Sequence, residues 1–246
     1  MAIDIRHNEL FQQRPSAVLM DLDNTIYAYD PAHAVAHDAA KRKTIRLLGV
    51  AETEFEKAFD QARGQVKDQL KQTASAHSRL LYFSRMLEIL GMKSQPLMAL
   101  DLEQTYWRSF LSACTLFAEV KEFLEDLRVA GIPVAAVTDL TSQIQFRKLI
   151  YFGLDHHFDQ IVTSEEAGVE KPSAVPFELA TKRLSLSATD RLWFIGDDPK
   201  KDIAGAKQAV GAITLQKRHA GIEISSVADA VFDDFSDVRT LLRRSR

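Results

Sequence analysis

The segment AVLMDLDNTIY, residues 17–27, carries the clearest indication of the fold class of this chain. Its first four residues are apolar and predict a buried strand, which ends at two aspartates one residue apart, Asp21 and Asp23. Paired carboxylates at the end of a buried strand belong either to an ordinary acidic turn or to an active site. The residues that follow the other predicted strands distinguish these two interpretations.

Similar short apolar runs recur later in the chain and alternate with segments of helical periodicity. They read PVAAVTD from position 133, FDQIVTS from 158, RLWFIGDD from 191 and AITLQK from 212. This alternation predicts an α/β fold, a doubly wound parallel sheet with a Rossmann-like order of strands and helices on both faces.

The region between about residues 30 and 111 has a different texture. It contains no convincing strand, and apolar residues recur at helical spacings, as in the series Leu97, Leu100, Tyr106 and Phe110. We therefore predict an inserted all-helical domain at residues 28–112 and a catalytic core formed by residues 1–27 and 113–246.

Composition narrows the class of protein. The 246 residues are 46% hydrophobic and carry a formal net charge of −3, as in ordinary globular proteins without a basic field for nucleic acid. A single cysteine, Cys114, excludes an intrachain disulfide and a cysteine-based metal site. The sequence shows no signal-peptide pattern and no apolar run near the roughly 18 residues that a membrane helix needs. We expect a cytoplasmic monomer or homodimer with neither nucleic acid nor membrane as a partner.

Polar residues follow every strand of the predicted core, at the edge where open parallel sheets bind ligands. They are Asp21, Asp23 and Thr25 after the first run, Thr138 and Asp139 after the second, Lys171 beyond the third, and Asp197, Asp198 and Asp202 after the fourth. Each one alone is explained as a cap or turn residue, but turn chemistry does not explain the whole set. Crowded carboxylates repel one another, and a hard divalent cation such as Mg²⁺ relieves that repulsion, whereas zinc prefers Cys and His ligands. Lys171, Thr138 and backbone N–H groups can hold an anion beside the metal, and a phosphoryl group fits them.

The segments DLDNT, the threonine after VAAV, KP and GDDPKKD resemble the four motifs of the haloacid dehalogenase-like (HAD) superfamily. The resemblance covers residues 17 to 217, and the helices inserted after the first motif resemble a C1-type cap domain. It implies that Asp21 is the nucleophile that forms an aspartyl-phosphate and that Asp23 is the general acid and base. It implies that Thr25 holds Asp23, and that Thr138 and Lys171 bind the phosphoryl group. It implies Mg²⁺ ligation by Asp21, the main-chain carbonyl of Asp23, Asp197, and Asp198 directly or through water, with Asp202 in support.

Asp23 indicates which chemistry of this superfamily applies. Members that dehalogenate lack this second acid, because a halide leaves without a proton. We therefore expect a Mg²⁺-dependent phosphatase, a phosphoric monoester hydrolase, acting on a small phosphorylated metabolite such as a sugar phosphate, a sugar-acid phosphate or a nucleotide. A phosphomutase acting on a sugar phosphate stays open as an alternative, since the helical domain does not exclude it. A phospho-receiver signalling module is a second alternative, although such modules carry their acidic pair before the acceptor aspartate rather than after it.

The remaining candidates are substrate contacts. In the superfamily the cap reads the leaving group, and the segment KQTASAHSRLLYF, residues 71–83, offers His77 and Arg79. Arg79 could meet a second anionic group, while the alternative is a helix cap at Ser75 or Ser78 with Arg79 in solvent. Thr25 and Asp139 are further candidate substrate-binding residues, and many relatives carry Asn where Asp139 stands.

Overall fold

The computed structural model describes residues 3–245, and the chain divides into two compact units. One unit is formed by the residues up to Ala28 together with those from Thr115 onward, and the other is Tyr29–Cys114. No helix in the described part of the chain combines the length and apolar character needed to cross a membrane.

The secondary structure alternates between strands and helices outside the helical unit. The strands are β1 Asp4–Ile5, β2 Ala17–Met20, β3 Val134–Thr138, β4 Gln160–Thr163, β5 Leu192–Gly196, β6 Ile213–Lys217 and β7 Ala230–Phe232. The α-helices are α1 Tyr29–Leu48, α2 Glu52–Leu70, α3 Arg79–Ile89, α4 Pro96–Ala113, α5 Val120–Val129, α6 Ser142–Phe152, α7 Ser164–Ala167, α8 Ala174–Arg183, α9 Gly205–Val210 and α10 Phe235–Arg244. Short 3₁₀ turns occupy Asn8–Phe11 and Ala74–His77, and a π-helical segment occupies Pro199–Ala204.

The seven strands form one sheet in the order β1-β7-β6-β5-β2-β3-β4. All neighbouring strands are parallel except β1 and β7, which pair antiparallel. From β2 the chain winds outward to β3 and β4, and it then returns to β5 on the other side of β2. The prediction of a doubly wound parallel sheet is confirmed, and the change of winding direction beside β2 marks the position where such sheets bind ligands.

The central strands are apolar along their whole length because they are covered on both faces. Every residue of β2, β3 and β5 is buried. Strands of buried parallel sheets carry continuous apolar runs rather than alternating ones, which explains the composition of these segments. This packing fixes the carboxyl ends of the central strands relative to one another.

The unit Tyr29–Cys114 is built from α1 to α4, and none of its described residues lies in a strand. Gly49 and Gly91 follow α1 and α3 with φ of 67° and 82°, the left-handed conformation in which helices commonly end. The interior contains many aromatic side chains, among them Phe55, Phe59, Tyr82, Phe83, Tyr106, Trp107 and Phe110. The sequence pattern also placed Leu97 and Leu100 on the apolar stripe of α4, but Leu97 is 82% exposed, because the buried stripe of that helix begins only at Ala99.

Candidate active site

The carboxyl ends of neighbouring strands bring the predicted polar residues to one edge of the sheet. Strand β2 pairs in parallel with both β3 and β5, and the N–H of Asp21 donates to the carbonyl of Ile195 at 2.9 Å. Asp21, Thr138 and Asp197 consequently lie at the same edge, each at or just beyond the end of its strand.

Buried carboxylates form a cluster at this edge. Asp21, Asp197 and Asp202 each present an oxygen within 4.8 Å of the other two. The hydroxyl of Thr25 donates to Asp21 Oδ2 at 3.1 Å and lies 3.5 Å from Asp197 Oδ1. The Thr25 hydroxyl thus contacts Asp21, whereas the family resemblance predicts a contact with Asp23. A group of carboxylate and hydroxyl oxygens is the donor set that hard divalent cations prefer, so this cluster could bind a metal ion.

Lys171 brings positive charge into this carboxylate cluster. Its Nζ donates to Asp21 Oδ1 and to Asp202 Oδ1 at 2.6 Å each, and to the carbonyl of Val137 at 3.0 Å. Burial alone would lower the pKa of Lys171, but the charges of Asp202, Asp21 and Asp139 outweigh that effect and hold the pKa well above its usual range. Lys171 is therefore protonated and can attract an anion to this edge.

Removal from water makes the ionised forms of the clustered carboxylates unfavourable. Burial raises the pKa of Asp21 to about 7, with Lys171 opposing the rise and Asp202 adding to it. Burial also raises the pKa of Asp197 to about 9, and the charges of Asp202 and Asp21 contribute further. The pKa of Asp202 is likewise raised by burial, against the opposing charge of Lys171. A cation among these groups would favour their ionised forms and reverse the direction of these effects.

Asp202 holds the turn after β5 in place. Its Oδ2 accepts hydrogen bonds from the backbone N–H groups of Asp197 and Asp198 at 3.1 Å each. Gly196 is required at the end of the strand, since a Cβ there would lie 2.6 Å from the Asp202 side chain. This support fixes the position of the neighbouring Asp197 carboxylate.

Asp198 has a structural task at the same turn. Its Oδ1 accepts from the backbone N–H groups of Lys200 and Lys201 at 2.8 Å each, and it caps the π-helical segment Pro199–Ala204. The carboxylate cluster described above does not include Asp198.

Asp139 connects the end of β3 to the loop that carries Lys171. Its Oδ1 accepts from the backbone N–H of Lys171 at 3.1 Å, and its Oδ2 lies 2.8 Å from Lys201 Nζ. Lys201 Nζ also lies 3.2 Å from Glu170 Oε2. In this structure the Asp139 side chain therefore positions the lysine loop.

Two side chains of α6 contact predicted site residues. Gln145 Nε2 donates to Thr138 Oγ1 and to the carbonyl of Asp139 at 2.7 Å each. Lys148 Nζ lies 2.6 and 2.9 Å from the two carboxylate oxygens of Asp23, and the hydroxyl of Tyr27 donates to Asp23 Oδ1. The carboxylate of Asp23 is not part of the cluster of Asp21, Asp197 and Asp202, although its charge acts on Asp21.

Gln145 and Lys148 are not among the site residues predicted from the sequence, although the sequence contains a signal for them. They are three residues apart and both lie on the buried face of α6, together with the apolar Ile144, Leu149 and Phe152. Long polar side chains seldom occupy the buried face of a helix without a polar partner. Their position on the helix that follows the strand-terminal Thr138 could have indicated that they face the site.

Arg79 occupies an aromatic environment inside the helical unit. Its guanidinium donates to the carbonyl of His77 at 2.6 Å and to the hydroxyl of Tyr29, and it lies 3.5 Å from the hydroxyl of Tyr106. It also lies 5.3 to 5.7 Å from the ring centroids of three aromatic residues, Tyr82, Tyr106 and Trp107. No carboxylate of the described residues forms an ion pair with it, and the whole residue is only 7% exposed.

The alternative interpretation of this segment, a helix cap with a solvated Arg79, is correct for the cap and wrong for the arginine. Ser78 does cap α3, because its hydroxyl accepts from the backbone N–H of Leu81 at 3.3 Å. Arg79, however, is buried rather than solvated. The helix cap and the buried guanidinium therefore coexist at adjacent positions.

Known sequences similar to this chain are hydrolases of one family and phosphatases. The profile of the haloacid dehalogenase-like hydrolase family matches residues 15–209. The chain is 39% identical over 201 residues to a ribulose-1,5-bisphosphate 5-phosphatase of Halopiger xanaduensis. The aligned region covers 81% of this chain and 83% of the relative. The chain is 31% identical over 202 residues to a glyceraldehyde 3-phosphate phosphatase of Methanopyrus kandleri, which covers 82% of this chain and 83% of the relative.

The fold is similar to solved structures as well. The crystal structure of a HAD phosphatase from Thermococcus onnurineus superposes with a TM-score of 0.68 over 94% of this chain and 99% of its own, at 22% identity. This similarity supports the architecture of the chain independently of the sequence motifs.

Proposed function

The chain belongs to the haloacid dehalogenase-like hydrolases, and we propose that it is a Mg²⁺-dependent phosphatase that hydrolyses a small phosphorylated metabolite through an aspartyl-phosphate. The observation that carries this proposal is the convergence of Lys171 with the buried carboxylates of Asp21 and Asp197 at the carboxyl end of the central strands. The expectation from the sequence that the enzyme is a phosphoric monoester hydrolase agrees with the functions of its relatives.

The donor set of the cluster fits a hard cation. We propose that Asp21 and Asp197 hold Mg²⁺ together with the main-chain carbonyl of Asp23, because the oxygens of Asp202 are engaged with Lys171 and with backbone N–H groups. When bound, the cation offsets the negative charge of the carboxylates and of the phosphoryl oxygens. Asp198, which caps the neighbouring turn, is proposed to act around the metal rather than on it.

The side chains of the core supply the reaction. We propose that an oxygen of Asp21 bonds to phosphorus while the bond from phosphorus to the ester oxygen breaks, and that Asp23 protonates this leaving oxygen. Asp23 then accepts a proton from the water that hydrolyses the aspartyl-phosphate, which returns Asp21 to its carboxylate form. Lys171 and Thr138 bind the phosphoryl oxygens during both steps.

The helical unit contains a buried arginine that could recognise a second anionic group of the substrate. Arg79 is a buried cation without a carboxylate partner among the described residues, and its charge is compensated there by hydroxyl, carbonyl and aromatic groups rather than by an anion. His33 lies beside it with a pKa lowered to about 4 by burial and by the charge of Arg79, so His33 is neutral and its Nδ1 lies 2.6 Å from the hydroxyl of Tyr106. We propose that the helical unit acts as the cap domain and that Arg79 recognises a second anionic group, with His77 beside it. A relative at 39% identity is named for a bisphosphate, which agrees with this proposal.

The proposed function is tested by phosphate release from a panel of phosphoesters with and without Mg²⁺. We expect turnover of small sugar phosphates in the presence of Mg²⁺ and its loss in EDTA, with a preference for substrates that carry a second anionic group, such as ribulose 1,5-bisphosphate. The Arg79→Met variant should raise KM for those substrates by about tenfold or more, the effect of a lost charge-assisted contact of roughly 1.5–3 kcal/mol, and leave KM for singly charged sugars nearly unchanged.

Arg85→Met is a matched control, because Arg85 lies on the same helix with an exposed ion pair to Glu88. It should behave as the wild type on the whole panel. Turnover that persists in EDTA would contradict the metal assignment. Conversion of a hexose 1-phosphate to its 6-phosphate isomer without free phosphate would replace the phosphatase assignment by that of a phosphomutase.

The raised pKa values of the cluster predict how pH and metal act on stability. A folded-state pKa of about 7 for Asp21 and about 9 for Asp197, above the ordinary aspartate value, means that the folded protein binds more protons than the unfolded chain from about pH 4 upward. Without metal, this contribution to stability is present at low pH and is lost as the pH rises towards 9. Because a cation must displace these protons, the rise in Tm on adding Mg²⁺ should be larger at pH 8.5 than at pH 5.5.

The measurement is thermal unfolding at both pH values with EDTA or Mg²⁺. Asp197→Asn removes one of the two groups and should reduce both the pH dependence in EDTA and the gain from Mg²⁺. A gain from Mg²⁺ that is equal at the two pH values would show that the cation does not compete with protons for these carboxylates.

A further inference from the structure

The buried ammonium of Lys148, on α6, binds the carboxylate of Asp23. Its Nζ lies 2.6 Å from Oδ1 and 2.9 Å from Oδ2 of Asp23, so both oxygens are held by one donor group. The side chain of Lys148 is 2% exposed, while that of Asp23 is 25% exposed. The cation is therefore almost fully removed from water, and the carboxylate still has an accessible face.

The aromatic ring of Tyr27 completes this arrangement. Its hydroxyl donates to Asp23 Oδ1, and the Nζ of Lys148 lies 5.7 Å from the centre of its ring. The ring itself packs against Phe152, the last residue of α6, with centroids 5.2 Å apart. Two donor groups, the Lys148 ammonium and the Tyr27 hydroxyl, therefore restrict both the position and the rotation of the Asp23 carboxylate.

A buried lysine that is paired with a carboxylate does little for stability. Burying an ammonium group is costly, and an ion pair with its carboxylate only about offsets that cost, so an apolar side chain would serve the packing of α6 better. The other polar residue on the buried face of this helix, Gln145, contacts the strand-terminal Thr138. The buried face of α6 therefore carries two long polar side chains, and each contacts a predicted site residue: Gln145 contacts Thr138 and Lys148 contacts Asp23.

We propose that Lys148 is a positioning residue that, together with the Tyr27 hydroxyl, presents the carboxyl group of Asp23 to the leaving group of the substrate. This inference rests on the proposed function and deepens it, because it assigns how the second aspartate is held for proton transfer. In the step concerned, the bond from Asp21 to phosphorus forms, the bond from phosphorus to the ester oxygen breaks with its electron pair, and the proton of Asp23 passes to that oxygen. Proton transfer depends steeply on the placement of the donor, so a loosened Asp23 transfers its proton less often.

The leaving group supplies the test, since an alkoxide needs this proton and a p-nitrophenolate does not. The ratio kcat/KM covers the reaction only up to the first irreversible step, so it reports departure of the leaving group and not the later hydrolysis of the aspartyl-phosphate. We expect Lys148→Met to lower kcat/KM for an alkyl phosphate, such as glycerol phosphate or the best sugar phosphate of the panel, by about 10²-fold. For p-nitrophenyl phosphate kcat/KM should change by only a few-fold.

Tyr27→Phe provides an independent variant. It keeps the ring and its packing against Phe152 and removes only the hydroxyl donor. The same selectivity between alkyl and aryl phosphates is expected, at smaller size. Lys207→Met is the matched control, because it removes a lysine whose Nζ lies 2.6 Å from the buried Asp229, in a contact that involves no site residue.

The outcomes separate this inference from the function on which it rests. If Lys148→Met lowers kcat/KM equally for alkyl and aryl phosphates, or lowers neither, the positioning role is wrong even though the wild type is a phosphatase. If the wild type with Mg²⁺ releases phosphate from neither class of ester, the proposed function itself has failed. A loss confined to alkyl phosphates in both variants, and absent in the Lys207→Met control, supports the inference.

Discussion

Replacing Asp21 with asparagine is expected to lower phosphate release by about 10⁴-fold or more, the scale on which enzymes lose activity when the nucleophile is removed. An amide nitrogen and its carbonyl oxygen do not form a stable ester with phosphorus, so the covalent step has no acceptor. The geometry of the site should persist, because an asparagine Oδ1 can still accept the hydrogen bond that Lys171 Nζ makes to Asp21 at 2.6 Å. The measurement is kcat/KM on the best substrate of the panel, with Mg²⁺.

Stability distinguishes loss of chemistry from loss of folding in this variant. The pKa of Asp21 is raised to about 7 by burial, so its ionised form is unfavourable in the metal-free protein at pH 8. Asp21→Asn should therefore melt at or above the temperature of the wild type in EDTA at pH 8, while its gain from Mg²⁺ is reduced. Asp190→Asn, at an exposed turn with its carboxylate on Ser187, is the control and should retain full activity. Wild-type activity of Asp21→Asn would rule out Asp21 as the nucleophile.

The central strands could be predicted because a buried parallel strand leaves an unmistakable run of apolar residues. Strands β2, β3 and β5 were found in this way, and with them the edge of the sheet at which Asp21, Thr138 and Asp197 stand. Strands β1 and β7 were missed, since they have 2 and 3 residues and their pairing joins the two ends of the chain. Runs of that length carry no period, so only the completed sheet defines them.

The motif residues were predictable because their positions follow from the strands that carry them. The contact between Lys148 and Asp23 was not, because it joins residues 125 positions apart and depends on which face of α6 is turned towards the site. The bond from Thr25 to Asp21 shows a similar limit. The Thr25 hydroxyl follows Asp21 by four residues and Asp23 by two, so it can reach either aspartate, and only the conformation of the turn decides which one accepts.

Arg79 illustrates a different limit. Sequence left two alternatives, a cation for a second anionic group and a solvated arginine at a helix start. Burial excludes the solvated one, and burial depends on the tyrosines and the tryptophan that α1, α3 and α4 supply around the guanidinium. Because several helices contribute to this environment, no local sequence pattern predicts that Arg79 is buried.

Replacing Lys171 with methionine should have the largest effect on stability, and it should also remove activity. Nζ of Lys171 lies 2.6 Å from carboxylate oxygens of both Asp21 and Asp202, and all three side chains are at least nine-tenths buried. Loss of one partner from a buried ion pair leaves uncompensated charge and costs about 3–5 kcal/mol. We expect a decrease of this size in the free energy of unfolding at pH 8 in EDTA, measured by urea denaturation.

The pH dependence identifies the cause of that decrease. The pKa of Asp21 is raised to about 7, so at pH 5 this carboxyl carries a proton and its ion pair with Lys171 is weaker than at pH 8. Lys171→Met should therefore cost less at pH 5 than at pH 8.

Lys43→Met is the control. It removes an ion pair of the same 2.6 Å length to Asp101, partly exposed in the helical unit, and should cost less than about 1 kcal/mol at either pH. Mg²⁺ should restore part of the stability of Lys171→Met at pH 8 without restoring phosphate release, because the cation can offset the charge of the carboxylates but cannot replace the ammonium that we propose binds the phosphoryl oxygens. If the two lysine variants lose stability equally, or if the loss for Lys171→Met does not grow between pH 5 and pH 8, then Lys171 does not neutralise this cluster, and its assignment as the phosphoryl-binding cation loses its physical basis.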